Sequence, residues 1–197
     1  MKKLLLSFVF AGLLTAPLVA AGGQKAISYQ PPKEQARAKI KWVKEICVEK
    51  DRYIGWPTVC RLANGDVMAV FSGDRDSHIC PWGKVQMIRS TDDGETWSAP
   101  VTIANGILDD RDAGIVQLPD GEIVVTWFTS VAYREPGILA RHPEYRRHDE
   151  KLDKEAANAA MGYFLIRSRD NGKTWSKPEK LANCEQTPHG PIVLKDG

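Results

Sequence analysis

The sequence predicts an all-β chain, a β-propeller assembled from four-stranded blades. Three observations predict it. Short apolar runs separated by turn signals recur in sets of four. Each set opens on a hairpin dipeptide, Asn64-Gly65 in the first and Asp120-Gly121 in the second. The pattern Ser-x-Asp-x-Gly-x-Thr-Trp then falls between the third and fourth runs of both sets.

Taken in order, Thr58 to Leu62 and Val67 to Phe71 flank the first hairpin, Lys84 to Arg89 is a third strand, and Pro100 to Ile103 a fourth. The second set repeats this with Ala113 to Leu118, Ile123 to Phe128, Tyr163 to Arg167 and Pro178 to Leu181. A third set starts at Gly190 to Leu194 and reaches Asp196-Gly197. Successive hairpin glycines are 56 and 76 residues apart, and units recurring at such spacing indicate a propeller or a related array. The longer second unit carries an insertion, 130–161, rich in Arg, Glu, Lys and Ala. Asp149 to Ala160 reads as one short helix, and the balanced charge reads either as a solvated face or as a lid over a site.

The two copies of the turn pattern are Ser90, Asp92, Gly94 and Trp97, and Ser168, Asp170, Gly172 and Trp175. An Asp in such a turn accepts local N–H groups, Gly supplies positive φ, and the Trp can bury its ring between sheets. This motif is the Asp-box, or BNR repeat, and its placement resembles the sialidase (neuraminidase) superfamily. The resemblance implies a propeller of about six blades, of which 46–197 would supply two and part of a third, an N-terminal fragment of the whole. It also implies that the Asp-boxes are structural and lie away from the central pocket.

Composition narrows the partners. Apolar residues make up 43% and charged residues 26%, which excludes wholesale disorder. Lys+Arg number 27 against 25 Asp+Glu, and setting aside Lys2 and Lys3 of the leader leaves 25 against 25. A neutral balance argues against nucleic acid, whose binding rests on neutralising phosphates. Residues 1–21 read as a signal peptide, with Lys2-Lys3, the apolar run Leu4 to Leu14 and small residues at Val19 to Ala21. A periplasmic or secreted protein is therefore expected, with no membrane anchor after cleavage, and 22–45 reads as a linker. Cys47, Cys60, Cys80 and Cys184 are equally compatible with bridges and with free thiols. No Cys-x-x-Cys and no zinc-spaced Cys/His set occurs, so neither metal nor cofactor is expected.

Ligands of a propeller meet the ends of its inner strands. The residues preceding those strands include Trp56, then Asp110, Arg111 and Asp112, then His189, and the first hairpin is followed by Asp74, Arg75 and Asp76. These types suit a sugar: Arg grips carboxylates or vicinal hydroxyls, a carboxyl protonates a glycosidic oxygen, and Trp56 or Trp82 stacks on a ring. The plain alternatives are a surface ion pair at Asp110 to Asp112 and a turn cap at His189.

The resemblance assigns roles. Pro57 matches the Pro of the family's first-blade Arg-Ile-Pro motif, which puts Gly55 where the carboxylate-gripping Arg would stand. Arg75 resembles a second pocket arginine, Asp76 the general acid at a shorter spacing than usual, and Asp112 a pocket Asp. The nucleophilic Tyr and its Glu partner belong to later blades. The expectation is a secreted exo-glycosidase of sialidase type acting on terminal sugars of glycans, with a non-catalytic glycan-binding propeller as the alternative.

Overall fold

The computed structural model describes residues 43–183 and 190–195. The chain divides into two units, Met1–Val43 and Lys44–Gly197, and every strand and helix among the described residues belongs to the second. The expected signal peptide, almost all of the linker, Cys184, His189 and Gly197 lie outside the described residues.

Two four-stranded antiparallel sheets are present, each a simple meander. The first runs β1 (Tyr53–Arg61), β2 (Val67–Arg75), β3 (Lys84–Ser90) and β4 (Val101–Ala104); the second runs β5 (Asp109–Gln117), β6 (Ile123–Ser130), β7 (Tyr163–Ser168) and β8 (Glu179–Ala182). The second strand of each sheet is buried almost throughout, which is why Val67 to Phe71 and Ile123 to Phe128 read as continuous apolar runs rather than alternating ones. β4 and β8 are largely exposed edges.

Both hairpins form, but with a three-residue loop. The Leu62 N–H donates to Asp66 O at 2.8 Å and the Gly65 N–H to Leu62 O at 2.9 Å, with Gly65 alone of the loop at positive φ (+94°). This is a type I turn closed by a left-handed Gly, and Gly121 repeats it at +90°.

Met68, Val70 and Val85 of the first sheet pack against Ile115, Val125 and Ile166 of the second, and this inter-sheet layer is the main core. Trp175 of the second Asp-box joins that core, and a Cβ on Gly172 would lie 2.6 Å from Met68 Cε, so the turn is pressed against the neighbouring blade. Trp97 packs with Ala69, Phe71 and Ile88, which point from the other side of the first sheet.

The inner strands begin earlier than expected, at Tyr53 and Asp109 instead of Thr58 and Ala113. The reason is a bulge. Pairing with the second strand slips between Gly55 and Thr58 in β1 and between Arg111 and Gly114 in β5. The bulge carries Trp56 (φ +53°) and Asp112 (φ +52°), both left-handed, and breaks the alternation that marks a strand in sequence. In the third unit, 190–195 form no strand among the described residues. Gly190 lies against Gly114 so closely that a Cβ on Gly114 would stand 2.1 Å from Gly190 Cα.

The insertion holds a 3₁₀ turn (Ala132–Arg134) and three short helices, α1 (Pro136–Arg141), α2 (Pro143–Asp149) and α3 (Lys154–Ala160). The single expected helix is thus confined to its second half. Pro136 and Pro143 each sit at the first turn of a helix, and the Asp153 side chain caps α3 through the Ala156 N–H, signals that cut the segment into pieces. The insertion is docked and not free: Tyr133 and Tyr145 are buried with Cys80, beside Ile79 and Trp82 of the β2–β3 loop.

Candidate functional site

Three features bring charge and aromatic rings to the open end of β1, β2 and β5. The first is the reversed step at Trp56. Its ring lies 5.0 Å from His78 and 5.9 Å from Tyr53, measured between centroids. The Arg111 guanidinium stands over the same ring at 4.5 Å, and that of Arg75 at 5.2 Å. Position 55 is filled from within: a Cβ on Gly55 would meet Tyr53 Cε1 at 2.9 Å, so the Tyr53 ring takes the space a larger side chain there would enter.

The second feature is Arg75, which is 0% exposed. Its Nη2 donates to Asp109 Oδ2 at 2.8 Å, and Nη1 donates to the other oxygen. The remaining donors reach the carbonyls of Ser77 (3.4 Å), His78 (3.1 Å) and Asp110 (3.5 Å). All five N–H groups of this fork are therefore committed to the protein itself. Arg75 ties β2 to the start of β5, and in this structure its guanidinium has no donor left for a ligand.

The third is an ion network at the mouth. Arg52 pairs with Asp74 at 2.6 Å and with Asp76, and Lys84 pairs with Asp74. Burial would raise the Asp74 carboxyl, but the bonds from Lys84 and Arg52 outweigh it and hold it below the usual range. Asp74 is left-handed (φ +51°), as are Asp51, Trp56 and Asp112. Asp76 is exposed, and Asp112 is half-buried with its main-chain N–H on Ser72 Oγ at 2.9 Å.

Asp110 faces elsewhere. It is 1% exposed and accepts from Trp127 Nε1 (2.8 Å) and from the Gly106 N–H (2.6 Å), at the floor of a separate pocket of about 160 Å³ walled by Ile107, Trp127, Phe164 and Pro178. Burial pushes its carboxyl up to about 7. Asp110 is thus no member of a surface ion pair with its neighbour: its carboxyl turns inward to Trp127, while the Arg111 guanidinium lies over Trp56.

Of the expected residues, the structure gathers Trp56, Asp74, Arg75, Asp76 and Arg111 into one cluster, with Asp112 at its edge and Asp110 apart. Trp82 is turned to the insertion, edge-on to Tyr145 at 5.2 Å and to His148 at 5.5 Å. Sequence reasoning missed Arg52 and Lys84 as members. Tyr53 and Asp109 stand in the segments that precede the inner strands, but nothing in the sequence singled them out from their neighbours. Among the described residues Cys47, Cys60 and Cys80 are free thiols.

The Asp-box turns lie at the β3–β4 and β7–β8 connections. Asp92 Oδ1 accepts from Ser90 Oγ (2.8 Å) and the Thr96 N–H (2.8 Å), and Oδ2 from Thr96 Oγ1 (2.5 Å). Asp170 repeats each bond with Ser168 and Thr174. A family model for the BNR/Asp-box repeat matches residues 88–99 and 166–177. The chain carries two BNR/Asp-box repeats. The Asp-box chain shares its fold with the NanB sialidase of Streptococcus pneumoniae, at 13% identity and a TM-score of 0.54 over 78% of this chain and 41% of that one. It also matches a protein of unknown function from Dyadobacter fermentans DSM 18053, at 25% identity and a TM-score of 0.50 over 68% of this chain and 38% of that one. The Asp-box chain thus spans about two fifths of the length of each of these structures. No curated protein matches it. Its two sheets have the fold of β-propeller blades.

Among the described residues no helix is long and apolar enough to cross a membrane.

Proposed function

We propose that this Asp-box chain belongs to a secreted glycoside hydrolase of sialidase type that acts on terminal sugars of glycans. The observation that carries the reading is the cluster at the open end of β1, β2 and β5. There an aromatic platform (Tyr53, Trp56, His78) adjoins guanidinium and carboxylate groups at the place where inner-strand ends meet. A sugar ring needs this mixture, an apolar face to lie on and charged groups for its hydroxyls. Asp76, at the rim where it pairs with Arg52, and Asp112, at the edge of the cluster, are the two carboxylates of this reading. The signal-like leader supports export.

The test is hydrolysis of a panel of fluorogenic glycosides by the protein, with Asp76→Asn and Asp112→Asn as controls. Turnover that drops at least about a hundredfold in either variant, with folding kept, supports the reading. Turnover unchanged in both variants removes these carboxylates from the reaction.

A specific observation favours the second reading, a glycan-binding propeller without catalysis. Position 55 is a glycine and offers no guanidinium, and both rim carboxylates, Asp74 and Asp76, are ion-paired within the protein, to Arg52 and, for Asp74, to Lys84 as well. Glycan binding with no hydrolysis across the panel selects this reading.

A further inference from the structure

The pocket over Asp110 lies outside the cluster and has no task in the proposed reaction. Its volume, about 160 Å³, matches that of a cavity able to hold a benzene-sized ring. Three parts of the fold wall it: the β4–β5 connection through Ile107, β6 and β7 through Trp127 and Phe164, and the end of α3 through Ala159 and Ala160. The Trp127 and Phe164 rings stack with centroids 5.8 Å apart and planes at 20°, which makes one wall aromatic. Asp110 is the only ionisable residue of this lining among the described residues. Its two oxygens accept one bond each, both from neutral donors, Trp127 Nε1 and the Gly106 N–H. Arg75, whose charge reaches Asp110, is bonded to the Asp109 carboxylate instead. A buried carboxylate without a paired cation takes up a proton or waits for a cation, and each oxygen has room for a second donor. Aromatic faces beside an unpaired carboxylate are the two groups that recognise an organic ammonium ion.

We infer that this pocket is a second binding site, one that takes a small primary ammonium ion with a compact hydrocarbon body, the ammonium on Asp110 and the body against Ile107, Trp127 and Phe164. The inference is independent of the glycan reading, because the pocket shares no residue with the cluster. Its occupant would touch both the second sheet and the insertion, since α3 closes one side. The charges around Asp110 set how pH acts on the site. Asp109 of the same strand raises its carboxyl, and Arg75 of β2 lowers it. Lys180 of β8 stands exposed at the rim, where it donates to Ala159 O at 3.1 Å and lies 6.0 Å from the Phe164 ring, and solvent screens its charge. The connection, β6, β7 and α3 contribute neutral side chains to the lining. Burial dominates and brings the carboxyl to about 7, so proton and ammonium compete for it near neutrality.

The experiment titrates cyclohexylammonium and cyclohexanol, rings of one size that differ in charge, into the protein, Asp110→Asn and Ala160→Phe by calorimetry at pH 8 and pH 5.5. Expected at pH 8 is binding of the ammonium with Kd below about 1 mM, at least about tenfold tighter than the alcohol. Asp110→Asn should lose that preference. Ala160→Phe, which keeps the carboxyl and fills the pocket, should lose binding. At pH 5.5 the ammonium should bind the parent at least about tenfold more weakly, since the proton then holds the carboxyl. No binding of the ammonium, equal affinity for the two rings, or a preference that survives Asp110→Asn overturns the site. Binding that persists in Ala160→Phe overturns it too, and this variant decides the matter if Asp110→Asn does not fold. An affinity that is the same at both pH values overturns the assignment of the ammonium to Asp110. The glycan reading stands or falls separately, on the glycoside panel.

Discussion

Arg75 and Asp109 form a buried fork-to-fork pair between the end of one blade's second strand and the start of the next blade's inner strand. The pair sits under Gly83, where a Cβ would stand 1.9 Å from Arg75 Nη1 and 2.3 Å from Asp109 Oδ1. Removing one partner leaves an uncompensated charge in the interior. Arg75→Ala is expected to lower unfolding free energy by about 3–5 kcal/mol in denaturant titration. Gly83→Ala is expected to destabilise too, by forcing the fork apart. A stable Arg75→Ala protein contradicts the view of this pair as an inter-blade tie.

Trp56 is expected to separate stability from binding. A non-glycine residue held at φ +53° stores about 1–3 kcal/mol of strain. Trp56→Gly relieves it, so the variant should melt at or above the parent temperature while, on the proposed function, glycan affinity falls at least about tenfold. Loss of both together would mean that the ring is chiefly a packing element.

Asp110 gives stability a pH dependence of unusual sign. Its carboxyl titrates at about 7 in the folded chain, raised by burial, against about 3.9 in an unfolded chain. The folded state therefore prefers the proton, and Asp110's contribution is full below about pH 4 and fades as pH rises through 7. Unfolding experiments from pH 5 to 8 should show stability falling with pH, and Asp110→Asn should flatten that slope. An identical slope in the variant would assign it to other groups.

Asp92 behaves in the opposite way. Bonds from Thr96 and Ser90 hold its carboxyl at about 2, so its contribution is present above about pH 4 and is lost as pH falls toward 2. Asp92→Asn is expected to lower the melting temperature at neutral pH and to narrow the gap to the parent in acid. A gap that stays constant with pH would exclude the carboxylate as its cause.

Tyr145 anchors the insertion. It is buried between Trp82 and His142, with ring centroids 5.2 Å and 4.4 Å away. Tyr145→Ala opens a cavity expected to cost about 3–5 kcal/mol where the segment docks. Limited proteolysis should then cut within 134–160 well before the blades. A cleavage pattern like the parent's would show that other contacts hold the segment.

Most of the framework was legible because its signals are local. Both hairpins, all eight described strands and both Asp-boxes rest on turn residues and apolar runs within a few positions of each other. The starts of β1 and β5 were hidden because a bulge at Trp56 and Asp112 interrupts the alternation that identifies a strand. The fates of Asp109, Asp110 and Arg111 were also hidden: adjacent charges look alike in sequence, while Arg75, Trp127 and Trp56 decide each one from afar. The docked insertion was illegible for the same reason, since Tyr145 meets Trp82 across 63 positions of chain.

The left-handed step occurs at the same point of both inner strands, Trp56 in one and Asp112 in the other, 56 residues apart like the hairpin glycines. Each blade thereby offers one side chain at one height, on a backbone whose pairing resumes unchanged immediately after. One backbone station thus carries an indole in one blade and a carboxylate in the other, while the Asp-box turn and the strand pairing around it repeat from blade to blade.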